Sequence, residues 1–181
     1  MSQEGDHPRN EMLPTAIRVR LDVLERRGAE PLLREFAIWC AMQVVAGYPA
    51  AAGIVASVRA AALDASGEEL RLLQERTSGA ACGACTIGLN VNPAAASAQL
   101  AAIQSGRPDA YEAAVQASRH ARDCFGYIAM KDGDAFGVTG RPALEAVATA
   151  MGCQIDQLDR LIASCEPPPS ADHPTPADRG S

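Results

Sequence analysis

Aromatic residues are scarce in this chain: one Trp, three Tyr and three Phe make up 4% of it. A sheet sandwich fills its core with large side chains from two inner faces, so the shortage argues against one. The core must come mostly from Ala, Leu, Ile and Val, which suits helices that approach closely. A basic surplus is missing too. The 22 acidic and 16 basic residues leave a net charge of −6. Residues 1–14 and 166–181 are each acidic on balance, and so, slightly, is the body between them. With no excess of cations to neutralise phosphates, nucleic acid is not an expected partner.

A convincing membrane-spanning run is also lacking. The uncharged stretch from Phe36 to Val58 has the length, but Gly47-Tyr48-Pro49 divides it and alanine drives insertion weakly. The uncharged stretch from Thr77 to Gly106 contains Asn90, Asn92, Pro93, Gln99 and Gln104. Both read as buried helices joined by turns, and no membrane association is expected. The opening MSQEGDHPRNEM has no basic segment followed by an apolar run, so no secretory signal is expected. These absences imply a cytoplasmic protein whose six cysteines stay reduced.

What is present is a helical pattern over 181 residues, enough for one domain with a real core. A polar start and the five prolines of CEPPPSADHPTPADRGS mark disordered tails at 1–14 and 166–181 around a helical domain at 15–165. In AIRVRLDVLERRG, Ile17, Val19, Leu21 and Val23 alternate as in a strand, while Ile17, Leu21 and Leu24 fit a helical stripe ending at Gly28. Helix is preferred, because a strand here lacks a partner. EPLLREFAIWCAMQVVAG reads as a helix with Pro31 in its first turn and Gly47 at its end, turning Leu32, Leu33, Phe36, Cys40 and Val44 inward. A third helix follows Pro49, with Ile54, Val55, Val58 and Leu63 inward. A fourth opens at Ser66-Gly67-Glu68-Glu69 and runs into the glycine-rich SGAACGACTIG.

Asn92 then caps a short helix that stops at Gly106. A long helix from Pro108 to about Met130 carries Tyr111, Val115, Ser118, Phe125 and Ile128 on one stripe. KDGDAFGVTG is loop-like; the competing reading pairs Tyr127–Met130 with Phe136–Val138 as a hairpin and makes the fold α+β. A helical pair at 142–151 and 154–165 closes the domain. The expected fold is all-α, a single-domain bundle of roughly six to eight helices.

The residues able to carry chemistry are mainly cysteines. Cys82 and Cys85 are spaced as in many zinc and iron–sulfur sites, and RHARDC later places His120 and Cys124 four apart on one helix face. Together they make C-x2-C … H-x3-C, four ligands of the kind tetrahedral zinc takes. Packing is the simpler expectation. Ala113, Ala117, His120 and Cys124 form a small-residue stripe that Gly79, Cys82 and Gly83 can face, each cysteine acting as a small hydrophobe. A thiol-redox pair is the third option, although no strand precedes it as in thioredoxin-like sites.

Two further motifs are weaker. His120 acting as a base for Cys124 lacks an orienting carboxylate, Asp123 pointing elsewhere on the helix. EAVATAMGCQIDQLDRLIAS spaces its small and apolar residues as a DNA-reading helix-turn-helix does. Its second half, however, sets Asp156 and Asp159 against Arg160, and an ordinary helical hairpin is expected. Paired catalytic carboxylates, a phosphate-binding glycine loop and a serine nucleophile elbow are all absent from the sequence.

LLREFAIWCAMQV (Leu32 to Val44), alanine-rich helices after it, and AAVQASRHARD (Ala113 to Asp123) resemble a loose group of bacterial, all-helical immunity proteins. The likeness spans Leu32 to Asp123, about half the chain, and the C-x2-C pair falls outside it. It implies an all-helical, cytoplasmic, non-catalytic protein that binds and neutralises a toxin, and it transfers no functional residues. The leading expectation is therefore a protein-binding module with a protein partner and no cofactor. Against it stand a zinc-binding or thiol-redox sensor built on Cys82, Cys85, His120 and Cys124, and an enzyme with an unrecognised helical active site.

Overall fold

The computed structural model describes residues 13–63, 67–130 and 141–165. It contains seven helices and, among the described residues, no strand. Helix α1 is Thr15–Arg26, α2 Glu30–Met42 and α3 Pro49–Ala61. Helix α4 is Glu68–Gly83, continued through a π turn at Ala84–Gly88 and a last α turn at Leu89–Val91. Helix α5 is Pro93–Gln104, α6 Ala110–Ala129 and α7 Arg141–Ser164.

The ambiguous first segment is helical for a reason visible in burial. Ile17, Leu21 and Leu24 are all fully buried, which only a helix allows, whereas Val19, on the same face of any strand, is 49% exposed. Gly28, at φ +65, ends the helix. Its N–H donates to the Glu25 carbonyl at 2.9 Å and the Ala29 N–H to the Leu24 carbonyl at 3.0 Å, the paired bonds of a Schellman cap. Asn92 accepts from the Ala95 N–H at 3.1 Å to start α5, and Asp109 from the Glu112 N–H at 2.9 Å to start α6. Tyr127 to Ala129 belong to α6, so the first arm of the alternative hairpin is helix; its second arm and the KDGDAFGVTG loop lie outside the described residues.

Three local expectations are corrected. Helix α2 stops at Met42, well before Gly47. Leu63, expected inward, is 87% exposed just beyond the end of α3. The hairpin expected at 142–165 is one unbroken helix through Gly152. A helical glycine costs about 1 kcal/mol relative to Ala, which is less than what the continuous stripe of Ala150, Gln154, Leu158 and Leu161 gains by burial along one face. Without a turn there is no helix-turn-helix.

Helix α6 is the centre of the bundle, packed against α1, α2, α5 and α7. Its contact with α5 is largely alanine: Ala98, Ala101 and Ala102 on α5, Ala113, Ala114, Ala117 and Ala121 on α6, all buried. Methyl-sized side chains let the two backbones lie close, so a chain poor in aromatics still closes its core. On the other flank Phe36 of α2 is fully buried and stacks on Trp39, with ring centroids 6.1 Å apart. Arg34, also buried, donates to the carbonyls of Ser105 (3.4 Å), Arg107 and Pro108 (2.6 Å). Its charge sits where the α5 helix dipole is negative, which locks α2 to the α5–α6 turn. Gly106 lies under Val58, where a Cβ would come within 2.9 Å of a methyl.

The glycine-rich stretch does not form the expected seam. Helix α4 packs on α3 and α5, and α5 in turn packs on α6. A Cβ added at Gly79 or Gly83 would meet nothing within 4 Å; one added at Gly88 would come within 3.0 Å of the Ala96 methyl.

Candidate functional site

The four residues singled out as metal ligands sit in different settings. Cys82 and Cys85 are exposed, on α4 and its π turn. Cys124 is fully buried on α6 and donates its thiol hydrogen to the Ala94 carbonyl at 3.3 Å. The His120 side chain is 15% exposed. Among the described residues, no three His, Cys, Asp or Glu side chains gather as a ligand set. Helix α4 packs on α3 and α5, whereas α6 packs on α1, α2, α5 and α7, so the two halves lie on helices with no substantial packing against each other.

A His120–Cys124 dyad is also poorly disposed for catalysis. Burial, and secondarily Asp123, pushes the Cys124 thiol up to about 11, so it is protonated at neutral pH. Burial, aided by Arg119, pushes the His120 imidazole down to about 4, which makes it a weak base. Asp123 approaches closer than the sequence suggested, 3.9 Å from Nδ1, but faces a neutral ring.

This neutral histidine sets a pH dependence. Unfolded, it titrates near 6.5, so between about 6.5 and about 4 the unfolded chain holds the extra proton. Stability attributable to His120 is complete above that window and is lost as pH falls through it, by up to about 3 kcal/mol. Asp123, raised by burial against the pull of Arg119 and Arg122, acts in the opposite sense and recovers a part on protonation. Urea denaturation of wild type and His120→Gln across this range is the measurement. The variant's profile should be flatter; parallel profiles would show that the imidazole charges freely in the fold.

Two concave surfaces meet at α2. The single tryptophan, Trp39, stands between two depressions. One, of about 310 Å³, is enclosed by α2, α6 and α7 and walled by Trp39, Ala121, Phe125, Ala146 and Ala150, with Gln43, Thr149, Cys153 and Gln154 supplying polar atoms. The other, of about 390 Å³, runs between α2 and the end of α3. Ile38, Trp39, Met42, Ala62 and Leu63 are its apolar lining, and Arg34, Glu35 and Arg59 its charged lining. Met42 is 45% exposed, so together with Leu63 it presents a sizeable apolar area to solvent.

Behind the first depression lies a buried polar network. The Arg122 guanidinium donates from Nη1 to Ser118 Oγ and Gln154 Oε1, both at 2.8 Å. Gln154 Nε2 donates to the Ser118 carbonyl at 3.0 Å. Burial holds Arg122 below its ordinary value, opposed chiefly by the charge of Asp123. Cys40 is driven well above the usual thiol range by burial, although Arg122 and Gln154 favour its thiolate. It is a protonated core thiol, shielded from chemistry. Sequence reasoning missed Arg122 and Gln154 entirely; each reads as an ordinary polar position on its helix. Trp39 offered a signal, as the single tryptophan of the chain.

No helix among the described residues is long and apolar enough to cross a membrane. No family model, no curated protein and no solved structure matches this chain.

Proposed function

We propose that this chain is a non-catalytic protein-binding module of the immunity type, which neutralises a partner by docking it on the α2 surface. The observation that supports this reading is the meeting of two concavities at Trp39, with exposed Met42 and Leu63 beside them. A partly buried tryptophan between pockets is the kind of anchor that dominates binding energy, and the exposed Glu35 and Arg59 beside it supply orientation. An amphipathic helix of the partner fits such a groove by inserting apolar side chains at helical spacing. The net charge of −6 favours a partner with a basic face. The residues with nucleophilic or basic potential in the core, Cys40, Cys124 and His120, are held protonated, protonated and neutral, which agrees with a non-catalytic role.

Affinity capture from the native host with wild type, Met42→Glu and Leu63→Glu tests the proposal, since both substitutions sit at exposed positions and leave the core intact. The expected result is one partner retained stoichiometrically by wild type and weakened at least about tenfold by each variant. Expressed alone, that partner should arrest growth, and coexpression with wild type, but not with Met42→Glu, should restore it. A partner bound equally by all three proteins, or one without toxicity, would sink the proposal.

A further inference from the structure

We infer that Cys82 and Cys85 are a redox-active dithiol that closes to a reversible disulfide by exchange with low-molecular-weight disulfides. Both side chains are exposed, while Cys40 and Cys124 are buried. They sit three residues apart on a continuous helix, Cys82 in its α part and Cys85 in the π turn. At this spacing α or π winding keeps the two α-carbons about 5–6 Å apart, inside the 4.4–6.8 Å window that disulfides occupy. The segment is also able to adjust. Gly79 and Gly83 have open space around them, and only small residues, Gly83 and Ala84, lie between the cysteines. The helix is already wound off its α path at this point, and the Thr86 hydroxyl donates to the Cys82 carbonyl at 2.8 Å across the junction.

The exchange balances with glutathione disulfide as oxidant. One cysteine, as thiolate, attacks a glutathione sulfur, forms a mixed disulfide and expels one glutathione thiolate. The second cysteine, deprotonated in turn, displaces the remaining glutathione. One S–S bond is broken and one formed, and the two protons released by the cysteines end on two molecules of reduced glutathione. Cys153 is a control within the same molecule. It is exposed, and Cys165, on the same helical stretch and twelve residues further on, lies about 18 Å away, so exchange there stops at the mixed disulfide.

The test incubates the full chain with glutathione disulfide, quenches it with acid, and maps tryptic peptides by mass. Residues 77–119 contain Cys82 and Cys85, no other cysteine, and no cleavable basic site, because Arg107 precedes a proline. The expected peptide has lost two hydrogens, carries at least about tenfold less glutathione than the Cys153 peptide, and regains both thiols on treatment with excess reduced glutathione. Cys82→Ser should turn the remaining Cys85 into a stable mixed disulfide, with helical circular dichroism confirming the fold. Glutathione retained on Cys82 and Cys85 to the level seen on Cys153, or two unmodified thiols where Cys153 is modified, would overturn the inference.

Discussion

Gln154→Leu is expected to destabilise the protein by about 3 kcal/mol, whereas Arg122→Met should leave stability within about 1 kcal/mol of wild type or raise it. The asymmetry follows from which group is stranded. Gln154 gives Arg122 one of its two side-chain acceptors, and Arg122 is 5% exposed. Replacing the amide leaves a guanidinium, which cannot shed its charge, facing aliphatic carbon. Removing the guanidinium strands much less. The Gln154 amide keeps its bond to the Ser118 carbonyl, and its oxygen can still accept from the Ser118 hydroxyl at 3.3 Å. The pair Arg122→Met with Gln154→Leu should recover most of the loss, a coupling read from a double-mutant cycle in urea. Equal destabilisation by the two single variants would mean that water solvates Arg122 in the folded state.

Phe36→Ala should cost about 4 kcal/mol, and Phe36→Leu roughly 1. Phe36 heads the fully buried side chains by size, in a core otherwise made of branched aliphatics and alanines. Alanine cannot flow into a vacated space, and Phe36 also loses its stack on Trp39. The same truncation should loosen the wall of the α2 surface, so any partner binding should weaken along with stability. Thermal melts with Trp39 fluorescence, the single indole of the chain, report both effects together.

The helical order of the chain was readable because local chemistry and burial agree there. The stripe Ile17, Leu21, Leu24 is buried as spaced, Asn92 caps as expected, and Gly28 ends α1 in the left-handed conformation that favours glycine. Where they disagree, the reading failed. Gly152 looked like a turn, but a long buried face carries the helix through it. The glycines of SGAACGACTIG suggested close packing, yet only at Gly88 would an added Cβ press on another helix.

The pairing of Cys82 and Cys85 with His120 and Cys124 was legible as a pattern of ligand types and not as a site. Spacing along a helix determines which side chains share a face, so the sequence by itself determined that each pair is local: Cys82 beside Cys85, His120 beside Cys124. It also favoured the all-α class over the competing hairpin reading, since a core short of aromatics and rich in alanine closes best between helices. Which faces meet is a long-range matter, settled by how every helix in the bundle buries its own stripe at once. The tertiary structure decided that α5 packs on both α4 and α6, that Arg122 and Gln154 are buried together from α6 and α7, and that Trp39 stands between two grooves. The physical reason is that burial is non-directional and summed over the whole bundle, whereas periodicity reports one helix at a time.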